Sequence, residues 1–165
     1  MRTLENIQNK IISRENLSEI VQLLDSQNKK IVFSNGCFDL VHLGHVEYLA
    51  KAADLADIFI LGLNTDASVK RLKGDTRPLQ DEHARAVLMA GFSFIDYVVL
   101  FDEDTPLELI KCVQPDILVK GNDYKAEDVV GFDVVTKKGG TVQTIELTEG
   151  YSTSSIVEKI KKAQI

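Results

Sequence analysis

Short apolar runs alternate along the chain with longer stretches whose apolar residues recur every three or four positions. The runs are KIVFS (30–34), DIFILGL (57–63), YVVLF (97–101), DILV (116–119) and TVQTIEL (141–147). Near-continuous apolarity of this kind predicts strands covered on both faces. Helical spacing predicts helices over 44–55, 81–92, 105–113 and 152–162. In the second of these, Ala84, Val87, Leu88 and Gly91 share one side, and in the third Pro106 suits the first helical position. Residues 65–73 read as a short helix or ordered loop, 74–79 as loop, and 127–138 as helical or irregular. The alternation predicts an α/β fold: a Rossmann-like, doubly wound sheet of about five parallel strands with helices on both faces.

Residues 1–29 stand apart as a polar, helical extension to a main domain over 30–165. Leu17, Ile20, Val21 and Leu24 form one apolar stripe, with Ser13 placed as N-cap and Glu15 in the first turn. A helix covering the outside of the domain accounts for this pattern. A dimer contact, or the remnant of a linker, is the functional alternative.

Composition narrows the field. The chain has 165 residues, 44% of them hydrophobic, and a net charge of −6. That length suits one domain with a sizeable core. The acidic balance argues against a nucleic-acid surface. Cys37 and Cys112 are too few for a disulfide framework and lack zinc-site spacing. The N-terminus lacks the apolar core of a signal peptide, and no run approaches the ~20 apolar residues that span a bilayer. A cytoplasmic protein without membrane or nucleic-acid partners is expected.

The chemistry gathers in NGCFDLVHLGH, residues 35–45. A strand runs into a turn, and the turn opens a helix carrying His42 and His45, two of the three histidines in the chain. Residues i and i+3 share a helix face. A helix start offers unpaired N–H groups and a positive dipole end, both favourable to phosphate. Gly44 allows close approach of backbone to a ligand. The stretch therefore predicts a phosphate site with two imidazoles aimed into it, with Asn35, Gly36, Cys37 and Phe38 in the turn. Asp39 could orient a histidine or meet a metal. A zinc site fits less well, because the spacing is not i, i+4 with a glutamate and no third ligand is evident.

Three further stretches carry compatible groups. After the second predicted strand, Asn64 leads into NTDASVKRLKGDTRP, where Lys70, Arg71, Lys73 and Arg77 crowd into eight residues. These cations belong at the same sheet edge as the histidines and suit a phosphate clamp. VKGNDY is a strand running into a glycine turn at Gly121. EGYSTSS places hydroxyls before the last helix, as caps or as an anion site.

With the strand leading into GCFD-x-x-H-x-G-H, the chain resembles the nucleotidylyltransferase superfamily from about Lys30 onward. Members transfer a nucleoside monophosphate to a phosphorylated small molecule and release pyrophosphate. The resemblance implies that His42 and His45 stabilise charge at the α-phosphate, and that Lys70 or Lys73 bridges the phosphates of both substrates. It implies that Arg85 and the hydroxyls of Ser152, Thr153 and Ser154 hold the triphosphate, and that Gly121, Asn122, Asp123 and Tyr124 line the base and ribose pocket. Asp39, Asn64, Arg71 and Arg77 are then candidates for the second substrate, and His83 a surface residue. NGCFDLVHLGH, NTDASVKRLKGDTRP, FDEDTP, PDILVKGNDY and EGYSTS are most similar to the heptose 1-phosphate adenylyltransferase family. This implies ATP and a sugar phosphate as substrates, Mg²⁺ carried on ATP, a homodimer, and a separate sugar kinase, since no kinase fits in this length. Glycerol-3-phosphate cytidylyltransferase is the nearest alternative, but that branch has arginine before the residue that matches Thr148, where this chain has Leu147. Phosphopantetheine adenylyltransferases usually have threonine at the first position of H-x-G-H and end in S-S-T-x-x-R, and an acidic chain of this length has no room for the tRNA-binding parts of class I aminoacyl-tRNA synthetases. A non-catalytic nucleotide-binding protein is the alternative from another class.

Overall fold

The computed structural model describes residues 3–121 and 125–163. In chain order these form α1 (Thr3–Gln8), β1 (Ile11–Ile12), α2 (Arg14–Ser26), β2 (Ile31–Gly36), α3 (Leu43–Ala53), β3 (Ile58–Asn64), α4 (Asp66–Lys73), α5 (Glu82–Ala90), β4 (Tyr97–Phe101), α6 (Leu107–Val113), β5 (Ile117–Gly121), α7 (Phe132–Lys137), β6 (Thr141–Ile145) and α8 (Thr153–Ala163). A short 3-10 turn, Ala126–Asp128, precedes α7. Among the described residues the strands form one parallel sheet in the order β1-β4-β3-β2-β5-β6.

The expected α/β sheet is present, with one strand more than the five anticipated. β1 is only two residues long and pairs Ile11 with Val98 and Ile12 with Val99 at the sheet edge. Two residues carry no readable period, so the hydrophobic pattern alone does not reveal it. Lys10 fixes the approach by donating from Nζ to the carbonyls of Phe92 (3.0 Å) and Ile95 (2.7 Å).

The central strands obey the two-residue alternation of a sheet covered on both faces. Val32, Phe59, Leu61, Val98 and Val119 point into one buried cluster with Tyr48 and Leu49 of α3 and Met89 of α5. Their neighbours Ile31, Phe33, Ile60, Val99 and Leu118 point into the opposite cluster with Leu17 and Leu24 of α2 and Leu109 and Ile110 of α6. The stripe anticipated on residues 17–24 is thus a core face: Leu17 is fully buried, and Ile20 and Val21 pack against the same cluster. Ser13 caps α2 as expected, accepting a bond from the Asn16 N–H. The segment left open over 127–138 resolves into the 3-10 turn and α7.

Candidate active site

A cleft of about 340 Å³ opens at the carboxyl ends of β2 and β5. These neighbouring strands lie where the strand order reverses: the chain builds outward from β2 through β3 to β4, then returns to place β5 and β6 on the other side. Ligands of open α/β sheets bind at such switch points. Asn35 and Gly36 of β2, with Cys37, Phe38 and Asp39 of the following turn, line the cleft. β3 adds Asn64, α3 adds His45, α4 adds Lys73, β5 adds Gly121 and α8 adds Thr153.

The turn between β2 and α3 is tightly specified. Phe38 adopts a left-handed backbone, φ 45°, at a cost of about 1–2 kcal/mol for a residue with a side chain. Its ring is buried and meets His45 edge-on, centroids 5.1 Å apart. A side chain at Gly36 would lie 2.9 Å from that ring, so glycine is needed beneath it. His42 takes the N-cap position of α3, and its carbonyl accepts from the N–H groups of His45 (2.9 Å) and Val46 (3.2 Å). The two imidazoles stack, centroids 3.7 Å apart and planes 21° from parallel. A Cβ at Gly44 would meet the His42 ring at 3.2–3.3 Å. Gly44 therefore makes room for an imidazole, a closer constraint than the ligand approach expected of it.

Electrostatics sets the protonation state of the pair. Burial, reinforced by His42 and Lys73, pushes His45 down to about 4. Burial also lowers His42. Both rings are neutral near pH 7, each with one N–H donor and one bare nitrogen. Nδ1 of each ring is buried without a hydrogen-bond partner among the described residues. Cys37 is held as a thiol, raised chiefly by burial.

The basic cluster after β3 divides by role. Lys73 lines the cleft, whereas Lys70, one turn earlier on α4, is exposed outside the lining. Arg71 is exposed and bonds the Asp104 carboxylate (2.8 Å) and the Asp102 carbonyl. Arg77 donates to Asp39 at 2.6 Å. Asp39 also accepts from the N–H groups of Leu79 (2.7 Å) and Gln80 (3.1 Å). Burial raises its carboxyl pKa, but Arg77 and these N–H donors outweigh burial and hold it below the usual carboxylate range. Asp39 therefore pins the 74–80 loop beside the cleft, with its oxygens committed to that loop rather than to a histidine or a metal. Arg85, expected at the triphosphate, is fully buried, lies outside the lining and bonds protein groups only among the described residues.

At the start of α8, the Ser152 hydroxyl accepts from the Ser155 N–H (3.1 Å), which is the capping role. Ser154 is exposed, and neither serine is among the lining residues. Thr153 lines the cleft and donates to the Leu40 carbonyl (3.4 Å), seating α8 against the histidine turn. Asn122, Asp123 and Tyr124 lie outside the described residues, and His83 is exposed. Sequence reasoning passed over Lys120, whose Nζ donates to Asn35 Oδ1 at 2.5 Å while lining the cleft. Its place at the end of a strand beside Gly121 was the available signal. Tyr48, one helical turn beyond His45, also lines the cleft and bonds Ser34 (2.8 Å) and the Val119 carbonyl (3.0 Å), joining α3 to β2 and β5.

Among the described residues no three carboxylate, imidazole or thiol groups are placed to hold a metal ion. A divalent cation in this cleft would belong with the phosphate oxygens of a bound nucleotide.

Residues 33–159 match the model of the cytidylyltransferase-like family. The chain is 57% identical over 156 residues to "Bifunctional protein HldE" of Campylobacter jejuni, covering 94% of this chain and 32% of that protein. It is 56% identical over 151 residues to the protein of the same name from Syntrophotalea carbinolica, covering 92% and 31%. The chain thus spans about a third of the length of these curated relatives. A solved structure of a lipopolysaccharide core biosynthesis protein from Thermoplasma volcanium is similar with a TM-score of 0.60 and 29% identity, covering 75% of this chain and 99% of that one. A pantoate-beta-alanine ligase from Francisella tularensis shares the fold at a TM-score of 0.60 and 14% identity, covering 94% and 78%. The matched region takes in the histidine turn, the cleft it lines and the start of α8, and the chain belongs to the cytidylyltransferase-like family.

Proposed function

We propose that this domain transfers AMP from ATP to a heptose 1-phosphate, yielding ADP-heptose and pyrophosphate for lipopolysaccharide core synthesis. The observation that carries the reading is the stacked His42–His45 pair, neutral beside Lys73 at the switch point of the sheet. The resemblance to heptose 1-phosphate adenylyltransferases and the identity with the HldE proteins support the choice of substrate. Leu147 supports ATP over CTP: the position of the CDP-forming branch's arginine lines this cleft with an apolar side chain.

An oxygen of the sugar phosphate attacks the α-phosphorus in line. The new bond joins that oxygen to phosphorus, and the bond to the bridging oxygen breaks, so pyrophosphate carries away the electron pair. No protein nucleophile is needed; catalysis is positioning and charge stabilisation. His42 and His45 donate to oxygens gaining charge, Lys73 spans both sets of phosphates, and Thr153 and the α8 start face the pyrophosphate portion. A divalent cation, expected to be Mg²⁺, supplies charge neutralisation of the triphosphate when bound. A sugar kinase activity, and a phosphatase that removes a second phosphate, would supply the acceptor. The expected assembly is a homodimer in the cytoplasm; among the described residues no helix is long and apolar enough to cross a membrane.

Pyrophosphate release measured with ATP or CTP against a panel of sugar and polyol phosphates tests the reading. Release with ATP and a heptose 1-phosphate is expected. Release only with CTP and glycerol 3-phosphate would replace it with the cytidylyltransferase alternative, and nucleotide binding without release would favour a binding protein.

A further inference from the structure

Arg85 has the largest fully buried side chain in the structure described. From α5 it reaches three elements that line the cleft and the 74–80 loop beside it. Nη1 donates to the carbonyl of Cys37 (2.7 Å) in the histidine turn and to the carbonyl of Asn64 (2.8 Å) at the end of β3. Nε donates to the carbonyl of Gln80 (3.0 Å) in the loop that Asp39 holds. Nη2 pairs with the Asp66 carboxylate (2.8 Å) in the first turn of α4, the helix that carries Lys73. The backbone N–H of Asp66 in turn donates to Glu82 (2.8 Å), so α4 and α5 are tied in both directions. A planar guanidinium, with five donors in a fixed fork, can hold these four acceptors in one arrangement, one more than the three N–H groups of a lysine can serve.

We propose that Arg85 is a positioning residue: it acts by fastening the histidine turn, the β3 end and the Lys73 helix into one frame, and does not ligate the triphosphate. The kinetic part rests on the adenylyltransferase reading above; the geometric part does not.

The test compares Arg85→Lys, Asp66→Asn and the double variant in a Cys112→Ser background, so that Cys37 is the thiol reported. Cys37 lines the cleft and its own carbonyl is an Arg85 acceptor, so its alkylation rate reads the frame without any turnover. Both single variants should raise that rate about fivefold or more while keeping the far-UV dichroism of the folded chain. Both should lower kcat by about tenfold or more with the KM for ATP within about twofold, and the double variant should fall no further than the worse single one. A rise in the KM for ATP of about tenfold in Arg85→Lys, with Asp66→Asn at wild-type kinetics, would make Arg85 a triphosphate ligand and overturn the proposal. Unchanged alkylation in both single variants would overturn it as well. Should Arg85→Lys fail to fold, Asp66→Asn alone decides, because Asp66 is partly exposed and outside the cleft lining. A wild-type chain that releases no pyrophosphate with any acceptor would remove the adenylyltransferase reading and leave the alkylation result to judge Arg85.

Discussion

Burial leaves His45 able to donate a hydrogen bond without carrying a charge of its own, in a cleft where Lys73 supplies the cation. Removing one such preorganised donor costs about 10²–10³ in kcat, so His45→Ala should lose that much turnover with its circular dichroism intact. Near-normal turnover in steady-state assays would show that the imidazole has no part in the reaction. The same geometry predicts that Lys73→Ala loses about 10²-fold or more in kcat/KM while Lys70→Ala stays within about threefold. The protonation state has a consequence for stability. His45 titrates near 4 in the folded chain against an ordinary 6.5. On acidification the unfolded chain takes up this proton first, so stability is intact above pH 6.5 and falls as pH drops toward 4. Lowered carboxylates such as Asp39 add a loss in the same direction. Thermal melts near pH 7 and near pH 5 should therefore show a smaller drop in Tm for His45→Asn than for the wild type; equal drops would place the proton elsewhere.

Among the elements, Asp39 anchors most of the 74–80 loop, and Gly44 sets the space at the start of α3. Gly44→Ala adds a better helix former to α3 but crowds the His42 ring at 3.2–3.3 Å. It should melt at or slightly above the wild type while kcat falls by about tenfold. Asp39→Asn leaves Arg77 without its carboxylate and weakens two backbone bonds to the loop. A loss on the order of 3 kcal/mol is expected, with limited proteolysis moving to residues 74–80; an unchanged digest would mean the loop is held by other contacts. These elements differ in how far the hydrophobic pattern exposed them. β2, β3 and β4 were legible because both of their faces are buried, and the turn 35–45 because its strand, glycines and histidines are adjacent in sequence. β1 was not legible, being two residues placed by a lysine that caps a distant segment. Arg71, Arg77 and Arg85 were legible as charges but not as ties, because their partners Asp104, Asp39 and Asp66 stand 33, 38 and 19 residues away.

For the whole molecule, a parallel sheet with its order reversing between β2 and β5 brings residues from three strands and three helices to one cleft. α2 closes the opposite face of that sheet through Leu17, so the N-terminal segment contributes to the core as well as to the surface. Leu17→Ala should cost about 2–5 kcal/mol in urea unfolding with little change in KM; a cost below about 1 kcal/mol would mean that α2 docks only weakly. The acceptor is not legible in the histidine turn, whose proposed chemistry would serve the phosphates of any nucleotide; Leu147 and the identity with the HldE proteins support the proposal of ATP and a heptose 1-phosphate. The proposed reaction is attack by the sugar phosphate on the α-phosphorus of ATP. It is tested most directly by turnover of heptose 1-phosphate carrying ¹⁸O in its phosphate, with mass spectrometry of both products. ADP-heptose should carry all of the label and the pyrophosphate none. Label in the pyrophosphate, or formation of AMP or ADP in place of a nucleotide sugar, would contradict it.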